Sequence, residues 1–222
     1  MGCGACAIGF AVRIGVCASG DGVGNVRSVV RAVERAAATR GAEVVLTKDP
    51  DALRQVDRIV VPGQGSFGAF ASSMRGGLLE ALRERIREGT PYLGICLGLQ
   101  VLFEESDEAP GERGLGILAG RVRRLAPGDD PATGRPLPLP HIGWNSVVPR
   151  GPGVALLGEA PSFFYFAHSY AAVPDDPGVV AAITEYGPPF ASAVAKDNVL
   201  GVQFHPEKSQ RAGLALLERF FR

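Results

Sequence analysis

The chain has 222 residues, 46% of them hydrophobic and 21% charged, which suffices for one sizeable globular domain with a buried core. Lysine plus arginine and aspartate plus glutamate balance at 23 each, which excludes a basic footprint for nucleic acid or anionic membrane. No apolar run reaches the length of a bilayer span, and the start carries no basic segment ahead of its short apolar stretch, so a cytoplasmic protein without a signal peptide is expected.

Residues 1–11 read as an N-terminal extension expected to be disordered. It holds a lone CxxC, Cys3 and Cys6, and a zinc site would need further ligands, whereas the first histidine is His141. A redox CxxC would follow a strand rather than precede the first one. No metal and no cofactor are expected.

From Val12 to Cys17 the chain reads as a buried strand, and from Asn25 to Thr39 as a helix with Val26, Val29, Val30 and Val33 on one side. Strands are expected over Glu43–Leu46 and Arg58–Val61, a helix over Gly77–Glu88, and a buried strand over Tyr92–Ile95, running into Cys96 and a helix from Leu97 to about Glu105. This alternation predicts an α/β fold: a three-layer, open, mostly parallel sheet flanked by helices. Beyond Leu115 the pattern becomes strand and turn over Ile117–Leu125, Ile142–Val148, Phe163–Tyr170, Val179–Thr184 and Phe190–Ala195, which predicts an appended antiparallel β portion. Val199–Phe204 reads as a last core strand and Gln210–Phe221 as a closing amphipathic helix. The Pro/Gly/Asp-rich stretch 126–138 is too short and too central for a linker, so one domain is expected over residues 12–222.

Three strand ends carry the chemistry. Gly94-Ile95-Cys96-Leu97-Gly98 is a GxCxG elbow between strand and helix, where flanking glycines clear space around a sulfur and helix-start amides favour thiolate. A core thiol on a strand end fits the elbow equally well. His205-Pro206-Glu207 follows Val199–Phe204; Glu207 can fold back onto one ring nitrogen while the other faces a thiolate, or it can merely cap the final helix. Gly63-Gln64-Gly65 follows a strand too, as a loop whose amides can face an oxyanion or as an ordinary glycine turn.

The stretches 94–100 (GICLGLQ) and 201–207 (GVQFHPE) resemble the two signatures of class I, triad-type glutamine amidotransferases. Further stretches resemble the glutaminase subunit of imidazole glycerol phosphate synthase: GVGNVRS (22–28), FEESDEAPG (103–111), GLG (114–116), PHIGWN (140–145), YFAHSY (165–170) and HPEKSQ (205–210). Subunits serving anthranilate or aminodeoxychorismate synthase carry His where Leu99 stands and lack PHxGWN, and a silent interaction module of the same fold has no need of all three triad positions. The family more often has Val where Gln64 stands.

The resemblance implies Cys96 as nucleophile with His205 and Glu207, and Leu97, Gly63, Gln64 and Gly65 around the oxyanion. It implies Gln100, His168, Ser169 and Tyr170 at the amino-acid head of L-glutamine, although Gln100 could instead face solvent. It also implies a partner cyclase, a (β/α)8 barrel that receives ammonia and makes imidazole glycerol phosphate and AICAR from PRFAR in histidine biosynthesis. Asn25, Trp144, Tyr165 and Lys208 match interface positions. Read alone they are equally a helix cap, two core aromatics and a solvated charge.

Overall fold

The computed structural model describes residues 12–17, 23–63, 65–74 and 76–222. Residues 1–11, with Cys3 and Cys6, and Gln64 lie outside the described residues, as does the side chain of Asn25. The first half runs β1 (Arg13–Cys17), α1 (Val23–Ala37), β2 (Glu43–Thr47), α2 (Pro50–Arg54), β3 (Arg58–Pro62), α3 (Phe67–Ser73), α4 (Leu78–Arg87), β4 (Tyr92–Ile95), α5 (Leu97–Gln100) and β5 (Glu105–Ser106). The second half runs β6 (Gly120–Arg124), β7 (His141–Pro149), α6 (Val154–Leu157), β8 (Ser162–His168), β9 (Tyr170–Pro174), β10 (Val180–Glu185), β11 (Pro189–Lys196), β12 (Val199–Val202) and α7 (Gln210–Phe220).

The large sheet has the order β2-β1-β3-β4-β12-β11-β10-β7-β8. From β2 to β12 the pairs are parallel, and from β12 to β8 they are antiparallel, as expected of an antiparallel portion appended to a parallel core. Successive side chains on the parallel strands point to opposite faces. Ile14, Val16, Val60, Leu93, Ile95, Leu200 and Val202 join one core with α1 and α7, whereas Cys17, Ile59, Val61, Tyr92 and Val199 join another with α2, α3 and α4. A sheet buried on both faces is what gives these strands their unbroken apolar runs.

Valines lower helix propensity by a few tenths of a kcal/mol each, yet burying one contributes about 1.5–3 kcal/mol. Val26, Val29 and Val33 of α1 are buried, so packing against the sheet decides this helix.

Two expectations need correction. The helix after Cys96 was expected to reach about Glu105 but is the single turn α5. Its continuation tightens into Leu102 N–H to Leu99 carbonyl and Phe103 N–H to Gln100 carbonyl bonds. The carbonyls of Val101, Leu102 and Glu104 are taken by amides of the 114–118 segment: Leu115, Ile117 and Leu118, and Gly114. Tertiary hydrogen bonds therefore replace the helical ladder.

The second correction concerns Phe163–Tyr170, expected as one strand. The chain leaves the large sheet after His168 and enters a second, three-stranded sheet, β5-β6-β9, at Tyr170. At the crossing, the Ser169 carbonyl accepts the Leu125 amide at 2.9 Å. Ser169 thus belongs to neither strand, and the crossing carries His168, Ser169 and Tyr170 to the C-terminal edge of β4.

The elbow depends on backbone-to-backbone packing. A Cβ on Gly98 would strike the Val61 carbonyl of β3, and one on Gly94 would strike the Gly98 carbonyl. The Tyr92 hydroxyl, fully buried, donates to that same Gly98 carbonyl at 2.8 Å. Gly98→Ala should therefore lower folding stability by about 1–3 kcal/mol in urea denaturation, and an unchanged midpoint would contradict this packing.

Candidate active site

In register, Pro62 pairs with Ile95 and Ile95 with Val202 across β3, β4 and β12. The residues that follow each strand, Gly63, Cys96 and Gln203, therefore emerge side by side at the carboxyl edge, where open parallel sheets form their sites. The Cys96 amide donates to the Val202 carbonyl at 2.7 Å, and its carbonyl accepts the Leu99 and Gln100 amides at 3.0 and 3.2 Å. Bound on both sides, Cys96 is held at φ 53° and ψ −105°, a conformation that L-residues rarely adopt. The sharp turn leaves Cys96 only 9% exposed, at the wall of a cavity.

Leu97 opens α5, so its amide has no partner within that turn. Gly63 is packed against it: a Cβ at Gly63 would collide with the Leu97 amide and the Ile95 carbonyl. Gly65 takes φ 84°, the second backbone demand for glycine in this loop.

His205 is extended, with φ −105° and ψ 94°, ahead of Pro206, as the residue before a proline prefers. Its amide donates to the Tyr165 carbonyl at 2.8 Å, and the Ser209 hydroxyl donates to its carbonyl at 2.6 Å. The ring is held as firmly: Nδ1 is 2.8 Å from Oε1 of Glu207, whose side chain is fully buried, and the Cys96 side chain is near enough to act on the charge of the imidazole. With Nδ1 on the carboxylate, Nε2 is the nitrogen left to serve the sulfur. Burial disfavours the imidazolium, but the hydrogen bonds to Cys96 and Glu207 and their charges outweigh it and raise His205 to about 10. Glu207 therefore orients His205 rather than capping α7.

The cavity that opens on Cys96 measures about 320 Å³. Leu97, Gly63, Gly65, Gln100, His168, Ser169, Tyr170, His205 and Lys208 all line it, so the residues expected around the oxyanion and the amino-acid head meet in one place, with Gln64 outside the described residues. A groove of about 550 Å³ lies between α1 and α7, but it touches Glu207 without reaching Cys96 or His205. Gln100 does not face solvent; it is 4% exposed, and its amide donates to the Tyr170 carbonyl at 2.9 Å and to Gln203 Oε1 at 3.3 Å. With both amide hydrogens engaged, its Oε1 is the group left for the cavity.

Two residues escaped the sequence reading. Glu108 brings a carboxylate to the cavity wall, where Oε2 accepts the Phe67 amide at 2.8 Å. It sits in the loop after β5, where nothing local marks it. Gln203 is fully buried and its Nε2 lies 3.5 Å from Cys96 Sγ. A lone amide in the apolar run Val199–Phe204 was its signal.

Of the expected interface residues, Trp144 is no core aromatic, being 48% exposed on β7. It pairs across the strands with Tyr165, ring centroids 6.2 Å apart, and Lys208 Nζ stands 5.5 Å from the Tyr165 ring centroid. The pairs Ile142–Ala167 and Ser146–Phe163 share that face, so Ile142 and Phe163, both more than 60% exposed, extend it into an apolar patch. Asn25 lies on α1. Among the described residues, no group of three or more His, Cys, Asp or Glu side chains stands together as a metal site.

The glutamine amidotransferase class-I family matches residues 23–222. Curated relatives named imidazole glycerol phosphate synthase subunit HisH include that of Methylococcus capsulatus, 47% identical with 90% of this chain and 93% of the relative covered. That of Syntrophotalea carbinolica is 43% identical, with 90% and 95% covered. A crystal structure titled glutamine amidotransferase superposes with a TM-score of 0.66 over 93% of this chain and 98% of that one, at 24% identity, a likeness of fold. The chain belongs to the class-I glutamine amidotransferase family and, within it, to the group whose curated members are named HisH subunits of imidazole glycerol phosphate synthase.

Proposed function

We propose that this chain is the glutaminase subunit of imidazole glycerol phosphate synthase, releasing ammonia from L-glutamine at Cys96 for a partner cyclase in histidine biosynthesis. The observation that carries the chemistry is the Glu207–His205 hydrogen bond set beside Cys96 at the wall of one cavity. Cys96 Sγ, as thiolate beside the His205 imidazolium, attacks the carboxamide carbon. The carbonyl electron pair moves onto oxygen, where the Leu97 amide and the Gly63–Gly65 loop, Gln64 included, receive it. As the C–N bond breaks, His205 Nε2 gives its proton to the leaving nitrogen and ammonia departs. His205, now neutral, takes a proton from water as that water attacks the thioester, and collapse returns glutamate and the thiolate–imidazolium pair. Glu207 keeps Nδ1–H occupied throughout, so that Nε2 always serves the reaction.

Cavity chemistry supports glutamine. The Glu108 carboxylate and Gln100 Oε1 suit an α-ammonium group, while Lys208 and the His168–Ser169–Tyr170 crossing offer the countercharge and backbone for an α-carboxylate. The apolar face of Ile142, Trp144 and Phe163, with Tyr165 and Lys208 beside it, is the surface we assign to the cyclase, and Asn25 is proposed as a further contact from the resemblance alone. A (β/α)8 barrel seated there would receive ammonia through its interior and convert PRFAR to imidazole glycerol phosphate and AICAR.

Replacing Cys96 with Ala should reduce glutamine hydrolysis by about 10⁴-fold or more while leaving the circular dichroism spectrum and melting curve in place; retained turnover would sink the assignment. Because His205 is raised from 6.5 to about 10, its charged form adds stability that is complete below pH 6.5 and lost as the pH climbs through about 10. The stability gap between wild type and Glu207→Gln should therefore be widest near about pH 6 and close toward about pH 10, and a gap constant with pH would contradict the charged pair. Trp144→Ala should weaken co-purification with a barrel cyclase, at a loss of about 2 kcal/mol or more for a central aromatic anchor; undiminished capture would remove this face from the interface.

A further inference from the structure

Gln203, which the chemistry above does not use, is the end of a chain of hydrogen bonds that begins on the outer hairpin. Asn145, on β7 next to Trp144, places Nδ2 at 3.3 Å from His141 Nε2 and donates to the Glu185 carbonyl at 2.9 Å. His141 Nδ1 is 3.1 Å from His168 Nε2, and His168 Nδ1 is 2.9 Å from the Tyr170 carbonyl. That carbonyl also accepts Gln100 Nε2, Gln100 Nε2 reaches Gln203 Oε1, and Gln203 Nε2 reaches Cys96 Sγ.

The contacts admit one assignment of protons. A carbonyl oxygen only accepts, so His168 carries its proton on Nδ1. Burial lowers His168 to about 3 and His141 to about 4, so both rings are neutral at physiological pH. His168 Nε2 then accepts from His141 Nδ1–H, and His141 Nε2 accepts from the Asn145 amide. At the other end, Gln100 spends both hydrogens, which forces Gln203 to offer oxygen to Gln100 and N–H to sulfur. The members are buried: His141, His168, Gln100 and Gln203 are 0–6% exposed. Tyr186 and Phe166 also stack on His141, with centroids at 3.9 and 4.8 Å, which fixes the ring plane. A neutral network in which each polar nitrogen has a partner has one arrangement, and disturbing one member leaves a buried group unpaired.

We propose that Gln203 is a positioning residue for the Cys96 sulfur, donating a hydrogen bond to it, and that Gln203 is itself held from β7 by His141 and His168 through the Tyr170 carbonyl and Gln100. The inference rests on Cys96 being the nucleophile and goes beyond the triad in two ways. It gives the thiolate a second, uncharged donor besides His205, and it ties the Trp144-bearing strand to the reacting atom by six consecutive hydrogen bonds. A shift of β7 when a partner seats on Trp144 would then be felt at the sulfur.

The titratable groups around Sγ are His205, with Glu207 bonded to it, and Glu108, His168, Tyr170 and Lys208 in the cavity. Gln203 is the contact that changes none of these charges when it is replaced. The test is the pH profile of Cys96 alkylation by iodoacetamide, read by mass spectrometry on the intact chain, in Gln203→Met, His141→Phe and the double variant. Gln203→Met keeps the volume and loses the donor, and His141→Phe keeps the ring stacking and breaks the chain.

Loss of a hydrogen bond to a charged sulfur should slow alkylation near neutral pH about tenfold and move the profile up by about one unit. His141→Phe should produce a smaller shift in the same direction, and the double variant no more than Gln203→Met alone, since both cut one chain. An unchanged profile in folded Gln203→Met would overturn the positioning role, and additive effects would overturn the link to β7. Should Gln203→Met fail to fold, Gln100→Leu, which leaves Gln203 but removes its anchor, must show the same upward shift, and an unmoved profile there overturns the proposal. Alkylation needs no glutamine, so a wild-type chain that fails to turn over glutamine would strike the proposed function without touching this result.

Discussion

The site depends on a matter of register: three parallel strands ending level with one another. Because Pro62, Ile95 and Val202 are paired in line, the next residue of each strand arrives at the same edge, and one of the three is a cysteine. The sheet then imposes a backbone on that cysteine that it would not choose. The Cys96 amide is tied to β12 and its carbonyl to α5, and the turn between them has no room for a side chain at positions 63, 94 or 98. Strain at Cys96 is held by packing on every side, which presents the sulfur at the cavity wall while most of it stays shielded from water.

Around that fixed point the fold supplies two further constraints. The run from β12 to α7 turns sharply enough for the buried Glu207 to reach back to His205, and the carboxylate takes Nδ1 of an imidazole set beside Cys96. The change of sheet at Ser169 brings His168 and Tyr170 to the cavity from a strand that otherwise belongs to the far side of the antiparallel portion. The hairpin that exposes Trp144 and the crossing that lines the cavity are thus one continuous piece of chain, β7 to β9. Coupling between the Trp144 face and the Cys96 sulfur, as proposed, needs no large movement in such an arrangement.

Much of this was legible in the residues. The unbroken apolar runs of β1, β3, β4 and β12 and the one-sided valines of α1 announce a sheet buried on both faces. GxCxG and HPE at strand ends mark the edge that matters. What escaped was set by tertiary contacts. α5 stops after one turn because the 114–118 segment claims its next carbonyls, and no local signal records that. The crossing at Ser169 lies inside an apolar run that reads as a single strand. Short helices α2 and α3 were missed for length, although Asp49 before Pro50 and Ser66, both N-caps accepting a backbone amide, were readable start signals. Gln203 and Glu108 became site residues only when strand register and loop path brought them to Cys96.

The central claim is that Cys96, and not merely some cysteine of this chain, is the activated nucleophile. Cys17 is the internal control: it is fully buried, and desolvation raises its thiol to about 12. Incubating the chain with a glutamine-analogue electrophile and mapping the adduct by peptide mass spectrometry separates the two. The account predicts a single adduct on Cys96, slowed by added L-glutamine and absent in His205→Ala. Labelling spread over other cysteines, or labelling of Cys96 indifferent to both glutamine and His205, would contradict it.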